Sequence, residues 1–309
     1  MRSVADYPIR LETRGSTRAW RLAGQLIFVL SPIIGTLFFL EYVFRNGISL
    51  IGLGIFLFKY ATEVIGGTVG AHRYFSHRSF RASPGLKIFL IIFGSMGNGS
   101  VFTWAAYHRR HHQFSDEPED VHSPFKYDRG TILTRLKNVY HSHIGWIFAP
   151  ERPVYERYIP DWLKDKTAVR FDALSNLWTL IGFFYPALLG FLFTGGTAEG
   201  ALMGFLYGMF SLFCVHNIIL CINSLCHLVG RKKYETSDQS RNNLFVSIFC
   251  FGEGWHNNHH AFPSVARFGF DPNQYDIGFY FIKLMERLGF ASHVKESPSE
   301  SFRLKKLIS

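Results

Sequence analysis

The chain has 309 residues, of which 48% are hydrophobic, yet its mean hydropathy is only +0.07. Apolar residues must therefore be concentrated in blocks, a pattern typical of membrane spans joined to a polar body rather than of two soluble domains. The net charge of +10 fits an anionic lipid surface or an acidic protein partner. We discount nucleic acid as a partner, because the basic residues lie beside hydrophobic blocks and form no separate basic module.

Four apolar stretches are long enough to cross a bilayer, whose hydrocarbon core needs about 20 helical residues. They are residues 22–44, 48–69, 174–193 and 201–222. Short loops with little positive charge join the first two and the last two, whereas the N-terminal tail up to Arg21 is rich in arginine. The positive-inside rule therefore predicts an integral membrane protein of two helical hairpins, with both termini in the cytoplasm.

Two charges interrupt the second span. Lys59 and Glu63 are four residues apart, so on a helix they could pair with each other in a protein interior. They could equally mark the boundary of the membrane. The sequence alone leaves both interpretations open.

A fifth apolar stretch, residues 86–102, is not predicted to cross. If it crossed, the histidine-rich segments on its two sides would face opposite sides of the bilayer and could share no site. Its glycines also disfavour a lipid-facing helix, so we expect a helix buried in protein or lying at the interface. Residues 70–173 and 223–309 are then predicted to form a cytoplasmic helical cap, with an amphipathic surface helix over residues 277–290.

Histidines recur in two copies of the pattern H-x-x-H-H and in one looser pair. Each copy places imidazoles at i, i+3 and i+4 of a helix, on one face. The looser pair is spaced i, i+5, so we expect the helix to end, bend or bulge between its members. The clustered residues are His72, His77, His108, His111, His112, His256, His259 and His260. Imidazole is the commonest metal ligand, so these clusters predict more than one transition-metal ion.

Other polar residues carry weaker signals. Asn223 and His227 are four residues apart where the fourth span ends, so they could point at the same site or merely cap a helix. Lone histidines are more often core or surface residues than ligands, which is the prediction for His122, His141, His143, His216 and His293. The acidic residues after the second cluster are Asp116, Glu117, Glu119 and Asp120. They could orient ligand histidines, but the prediction is a solvated acidic loop.

Taken together, these motifs resemble the integral-membrane acyl-CoA fatty acid desaturases of the stearoyl-CoA, delta-9 type. The match runs in order from about residue 50 to residue 290. It is carried by GAHRYFSHRS (70–79), Trp104 followed by HRRHH (108–112), HIGW (143–146), NSLCH (223–227) and GEGWHNNHH (252–260). The segment between Gly97 and Trp104 departs from the animal enzymes, which leaves the acyl headgroup open.

The resemblance implies one desaturase domain over residues 1–309, with four spans and a cytoplasmic cap around a di-iron (Fe²⁺) centre. Nine histidines would hold the irons, namely the eight clustered ones and His227, and Asn223 would hold an ion through water. Trp104 and Trp146 are candidates to line a narrow acyl tunnel, although core packing is the more frequent fate of such residues. Because the chain shows no appended cytochrome b5-like domain, we expect a separate electron donor of the ferredoxin or cytochrome b5 type.

The predicted activity is O2-dependent desaturation of a saturated acyl chain to a cis-unsaturated one, at position 9 if the resemblance holds. The chain would be carried on coenzyme A, a carrier protein or a lipid. Breaking two unactivated C–H bonds requires a redox metal. A hydroxylase or acetylenase on the same scaffold remains an alternative. A metal transporter is disfavoured because the histidine clusters flank the spans, and a non-catalytic lipid-binding relative because every matched histidine is present.

Overall fold

The computed structural model describes residues 9–11, 16–127 and 130–297, and its regular structure is almost entirely helical. The helices are α1 (Ser16–Asn46), α2 (Leu50–Ile65), a π-helix (Gly66–Ser76), α3 (Pro84–Asn98), α4 (Val101–Phe114), α5 (Ile132–His143), a 3-10 turn (Gly145–Phe148), α6 (Tyr155–Tyr158), α7 (Lys166–Asp172), α8 (Ser175–Phe193), α9 (Ala198–Leu228), α10 (Leu244–Phe249), α11 (His256–Ala261) and α12 (Ile277–Arg287). The all-α fold class is confirmed.

Two small antiparallel sheets complete the described structure. β1 (Ile9–Leu11) pairs with β3 (Glu151–Pro153), and β2 (Arg81–Ala82) pairs with β4 (Ala291–Ser292). Most of the arginine-rich N-terminal tail, including Arg2 and Arg14, lies outside the described residues. The surface helix predicted over residues 277–290 is α12, and β4 follows it to pair with the strand beside the first histidine pair.

Four helices are long and apolar enough to cross a membrane: Arg18–Asn46, Leu50–Ser76, Ser175–Phe193 and Ala198–Leu228. They coincide with the four predicted spans. Their outer faces expose large apolar side chains such as Leu37 and Leu188, as lipid-facing helices do. The last of the four is packed against α1, α2 and α8 and is the most buried. Its last turn contains His227.

The stretch over residues 86–102 is not one straight helix. It is divided between α3 and α4, whose axes meet at 80° around Gly99, a residue with φ of 72°. The histidines on its two sides end close together, since Nε2 of His77 and Nε2 of His108 are 2.8 Å apart. The chain before and after the segment therefore meets at one place, as the prediction that it does not cross requires; that prediction stays a prediction.

Close backbone contact holds this returning segment against the second span. A Cβ on Gly66, at the start of the π-helix, would lie 2.3 Å from the main-chain nitrogen of Gly94 in α3. No residue with a side chain fits there, so the two helices touch through their main chains, in the manner of small-residue contacts between membrane helices. This contact fixes the position of the π-helix relative to α3, and therefore the position of the first histidine pair.

Lys59 and Glu63 form a fully buried ion pair within the second span. The ammonium group of Lys59 also donates to the main-chain carbonyl of Gly182 in α8, at 2.8 Å. One carboxylate oxygen of Glu63, Oε2, is buried without a hydrogen-bond partner in the described structure. The structure therefore places the pair in a protein interior, as one of the two interpretations predicted.

Replacing Lys59 with Met should destabilise the protein by about 3–5 kcal/mol, because it leaves the Glu63 carboxylate buried without its compensating charge. The double variant Lys59→Met/Glu63→Leu should recover most of that loss, since it removes both charges. Thermal unfolding of the detergent-solubilised protein measures the effect. Single and double variants that melt at the same temperature would contradict this account of the pair.

Candidate metal centre

The first histidine pair is brought together by the π-helix. Its hydrogen bonds run between residues five apart, and the main-chain N–H of His77 donates to the carbonyl of His72 at 3.2 Å. Residues spaced i, i+5 therefore lie above one another, with the two imidazole centroids 4.9 Å apart. The bulge predicted between these histidines is confirmed.

α4 places the second cluster. The helix is capped at its start by Ser100, whose hydroxyl accepts from the main chain of Thr103, and Asp172 accepts from both Ser100 and the main chain of Phe102. Arg109, inside the cluster, ties α4 to the end of the π-helix by donating to the carbonyls of Phe75 and Ser76, at 2.8 and 2.7 Å. The second cluster is thus fixed relative to the first.

The third cluster lies on the short helix α11, which is held by its two asparagines. The side-chain oxygen of Asn257 accepts from the main-chain N–H groups of Lys233 and Tyr234, both at 2.7 Å. Asn258 donates to the carbonyl of Phe268 at 2.8 Å. A helix of six residues has little stability of its own, so these buried amide contacts fix the direction of its histidines.

The nine histidines assemble into two groups. Within each group the potential ligand atoms lie within 4.8 Å of one another. The five-histidine group consists of His72, His77, His108, His112 and His259, and the four-histidine group consists of His111, His227, His256 and His260. Each H-x-x-H-H motif is divided between the groups: its first and last histidines join one group and its middle histidine joins the other. Both α4 and α11 therefore contribute to both groups.

The Nε2 atoms of each group point at one another. The separations are 2.8 Å for His77 and His108, 2.9 Å for His112 and His259, and 3.0 Å for His227 and His256. Two nitrogen ligands at right angles, each about 2.1 Å from one metal ion, are about 3.0 Å apart. The spacing of these atoms thus fits ligands that surround an ion.

Four of the nine imidazoles contact a carboxylate through Nδ1. The pairs are His111 with Asp120 at 2.9 Å, His227 with Asp116 at 3.0 Å, His260 with Asp238 at 2.6 Å, and His72 with Glu253. An ionised carboxylate can only accept, so Nδ1 carries the proton and Nε2 keeps its lone pair. This is the usual way in which metal-binding histidines are oriented.

The donor chemistry supports a cation in each group. Nε2 of His111 and Nε2 of His260 are 3.3 Å apart, and both imidazoles already use their proton at Nδ1. Two lone pairs cannot hydrogen-bond to each other, whereas a cation between them satisfies both. All-imidazole donor sets suit iron, copper, zinc and nickel. The nine residues therefore fit two transition-metal ions, and their role as ligands stays a prediction.

The charges of most surrounding groups agree with this arrangement. The exceptions are His111, where burial lowers the pKa but Asp120 more than offsets it, and Glu253, whose pKa burial raises to about 7. Burial lowers the pKa of His108, His112, His256 and His259 well below the usual value, so these imidazoles stay neutral as ligands must. Burial raises the pKa of Asp120, Asp116 and Asp238, but the neighbouring histidines more than offset it and hold each pKa below its usual value. These three aspartates therefore remain ionised.

The acidic stretch after α4 is only partly the solvated loop that the sequence suggested. Asp116 and Asp120 are turned inward onto His227 and His111, so that prediction is wrong for these two residues. Asp116 adopts φ of 63°, a left-handed conformation that aspartate tolerates, and this turn reverses the chain toward the site. Glu117 is exposed and Glu119 is half-buried, as in a loop facing solvent.

Two further carboxylates at the site carried no pattern in the sequence. Asp238 lies in the irregular segment between α9 and α10. Glu253 lies just before α11, within the third histidine motif, where only the histidines have a regular spacing. Arg73 pairs with Glu253 from the first histidine motif, at 3.1 Å. The one signal in the sequence for Glu253 is its position three residues before His256.

Most lone histidines have ordinary partners, as predicted. His141 bonds to the carbonyl of Val121, His143 to Ser224 and Asn217, and His216 to the carbonyl of Gly97, while His293 is exposed. His122 is different, because its ring packs on His111 at 4.4 Å and its Nδ1 lies 3.6 Å from Asp120. Since Asp120 already bonds to Nδ1 of His111, we interpret this trio as support for His111.

The remaining predicted site residues lie around the two groups. The indole of Trp104 stacks on His108, with centroids 4.9 Å apart, at the five-histidine group. Trp146 contacts the ring of His122 at 5.4 Å, and its indole nitrogen is buried without a partner in the described structure. Asn223 is half-buried one helical turn before His227 on α9. Contact with substrate or with a metal-bound water stays a prediction for all three.

Substituting Asp120 with Asn should weaken metal binding at the four-histidine group by about 10–100-fold, because it removes the charge that orients His111. The matched control is Glu117→Gln, which neutralises an exposed carboxylate of the same acidic stretch. Iron retained per protein during titration with a chelator measures the difference. Equal retention by the two variants would contradict the role assigned to Asp120.

Comparison with known proteins agrees with the geometry. A family model described as fatty acid desaturase matches residues 47–274. The chain is 38% identical over 287 residues to a hex-5-enoyl-[acyl-carrier protein] acetylenase from Moorena producens (strain JHB), covering 91% of this chain and 88% of that protein. It is 35% identical over 259 residues to delta-9 acyl-lipid desaturase 1 of Arabidopsis thaliana, covering 81% and 77%. It is 32% identical over 288 residues to the sn-1 stearoyl-lipid 9-desaturase of Synechocystis sp. (strain ATCC 27184 / PCC 6803 / Kazusa), covering 91% and 82%.

These matches confirm the family that the sequence motifs indicated, and they argue against a metal transporter. The matched region contains all nine histidines and both tryptophans. It also includes three of the four helices that are long and apolar enough to span a membrane. The chain therefore belongs to the fatty acid desaturase family, and it is a membrane oxidoreductase of that family.

Proposed function

We propose that this protein uses two iron ions, held by the nine histidines, to introduce a cis double bond into a saturated acyl chain. In the overall reaction the acyl chain loses two hydrogen atoms, and O2 with two electrons and two protons from a donor is reduced to two water molecules. The observation that carries the proposal is the pair of adjacent, buried all-histidine groups of five and four members. Asn223 would complete the four-histidine group through a water molecule.

Bound iron would supply the O2 activation that no side chain can provide. The protein's own residues would position the reactants. Carboxylates on Nδ1 keep four Nε2 lone pairs turned inward. Buried residues such as His72 and His259 exclude bulk water from the site. Selecting one pair of methylenes then depends on how the acyl chain is placed, because proximity decides which C–H bonds react.

Trp104 and Trp146 would line the path of the acyl chain. Trp104 stacks against a histidine of the five-histidine group. Trp146 packs edge-on against Tyr107 of α4, with centroids 5.5 Å apart. Rigid aromatic faces beside the metal groups suit an apolar, flexible ligand, since they bury its methylenes at little entropic cost. The path would thus run along one side of α4.

We place the cap and both histidine groups on the cytoplasmic side. The loops at the far ends of the two hairpins, residues 47–49 and 194–197, contain no lysine or arginine. The segments at the other end of the spans are rich in both, as the positive-inside rule requires of a cytoplasmic face. Both termini would then be cytoplasmic, with residues 1–309 forming one desaturase domain.

Position 9 is the proposed site of the double bond, because two of the relatives described above carry that position in their names. Those two names also specify lipid-linked acyl groups, whereas the Moorena producens relative is named for a carrier-protein substrate. We propose an acyl chain bound to a lipid or a carrier protein in preference to coenzyme A.

The second candidate function is acetylenase activity, in which an existing double bond becomes a triple bond. It is favoured by one specific observation: the relative that is named an acetylenase matches 91% of this chain. The two reactions remove hydrogen from adjacent carbons in the same way. They differ in the chain that the site accepts and in its placement.

Expression in cells that lack such an enzyme should produce a new monounsaturated fatty acid, located by gas chromatography with mass spectrometry of total acyl groups. His111→Ala should abolish the product, because it removes a member of the four-histidine group. His293→Asn is the control, since it changes an exposed histidine at a positive φ that asparagine tolerates. An alkynyl product would establish the second candidate. An unchanged profile with bound iron and a supplied donor would refute both.

The electron donor is proposed to be a separate, acidic protein of the ferredoxin or cytochrome b5 type, because the chain carries a net charge of +10. The second-order rate of electron delivery should then fall as ionic strength rises from about 0.01 to 0.15 M, over which the screening length shrinks from about 30 to 8 Å. Turnover at saturating donor is the control and should not change. A rate independent of salt would exclude electrostatic recruitment of the donor.

A further inference from the structure

The two histidine groups lie in different electrostatic surroundings. Three of the four members of the four-histidine group contact an aspartate through Nδ1, and those aspartates are Asp116, Asp120 and Asp238. Among the described residues, only one member of the five-histidine group contacts a carboxylate within 4.0 Å, and that carboxylate is Glu253. Three carboxylates therefore adjoin the smaller group and one adjoins the larger.

In the described part of the chain, the three aspartates are held by hydrogen bonds and by no lysine or arginine side chain. Asp116 accepts from the main-chain N–H of Gln239 at 2.6 Å, Asp120 from that of Asp116 at 3.1 Å, and Asp238 from that of Ser240 at 3.0 Å. Two basic side chains reach this region, but they donate to main-chain carbonyls: Lys232 to Asp238, and Arg110 to Glu119. Among the described residues, the ion-pair partners of these three carboxylates are thus histidines, and no lysine or arginine pairs with them within 4.0 Å.

The carboxylate of the five-histidine group is instead paired with an arginine. Arg73 is fully buried, and its Nε donates to Glu253 at 3.1 Å. Its Nη1 also donates to Asp276 at 2.8 Å. Glu253 therefore divides its charge between an arginine and the imidazole of His72, and it polarises that imidazole less than a free carboxylate would.

These differences act on any ion that the groups hold. A carboxylate that accepts from Nδ1 increases the basicity of the imidazole, and nearby negative charge stabilises the more highly charged state of a metal. Both effects lower the reduction potential of the ion. Because the site is buried, the charges are weakly screened, and the difference between the two groups persists at physiological salt.

We propose that Asp116, Asp120 and Asp238 are positioning residues that give the four-histidine group a lower reduction potential than the five-histidine group, whose carboxylate is paired with Arg73. The two metal sites are therefore inequivalent, and the five-histidine group accepts the first electron from the donor. The proposal rests on the proposed function, in that each group must hold an iron.

Mössbauer spectroscopy of the full chain loaded with ⁵⁷Fe and reduced stepwise with dithionite tests this. His259→Ala and His256→Ala identify the two quadrupole doublets, because each should remove one group's iron. In the wild-type protein the doublet of the five-histidine group should become ferrous first. Asp238→Asn should reduce the difference between the reduction potentials of the two groups by about 59 mV, which for one electron is a tenfold change in equilibrium constant.

Glu253→Gln should widen the same separation, because it removes the one carboxylate that contacts the five-histidine group among the described residues. The two variants should therefore change the potential difference in opposite directions. A general disruption of the site would change it in the same direction in both variants. Asp116→Asn repeats the first test if Asp238→Asn folds poorly. Asp165→Asn is the control: this carboxylate pairs with Lys87, and its change should shift nothing.

One common potential for both irons, or shifts of the same sign in Asp238→Asn and Glu253→Gln, would overturn the inference. Wild-type protein that binds fewer than two irons per chain would instead refute the proposed function. Iron content is therefore measured first on the same sample, which separates the two failures.

Discussion

The hydrogen bond between a carboxylate and Nδ1 of a histidine is the contact on which the rest of this site depends. It decides which imidazole nitrogen carries the proton, and so it turns the lone pair of Nε2 inward. Without it, His111 and His260 could rotate or exchange their protonated nitrogen, and the 3.3 Å approach of their Nε2 atoms would have no reason to persist. The turn after α4 places Asp120 against His111, and the irregular chain before α10 places Asp238 against His260.

Regular spacing made much of the structure predictable from sequence. The i, i+3, i+4 histidines could be assigned to helices, and the i, i+5 pair could be assigned to a distorted one, because helical periodicity relates spacing directly to direction. The parity of membrane crossings predicted that the stretch over residues 86–102 returns, and the approach of His77 to His108 agrees with that prediction. Such inferences need only the sequence, since each depends on local geometry or on counting sides of a membrane.

What the sequence could not supply was contact made by irregular chain. Asp238 reaches His260 from a segment without periodicity, 22 positions away in sequence. Asp116 and Asp120 look like a solvated charge run until the left-handed residue at 116 turns them inward. Lys59 and Glu63 were ambiguous for a different reason: their spacing allows a pair, but only the packing of α3, α8 and α9 around them decides whether water reaches it.

The division of each H-x-x-H-H motif between two groups has a mechanical consequence. Within α4 and α11, one helical turn links the middle histidine of each motif to the outer two, so while the helix is intact it cannot move independently of them. Any displacement or rotation of either helix changes the distances within both groups at once. The two groups are therefore mechanically coupled. Folding of α4 and α11 assembles both groups, and unfolding of either helix disrupts both.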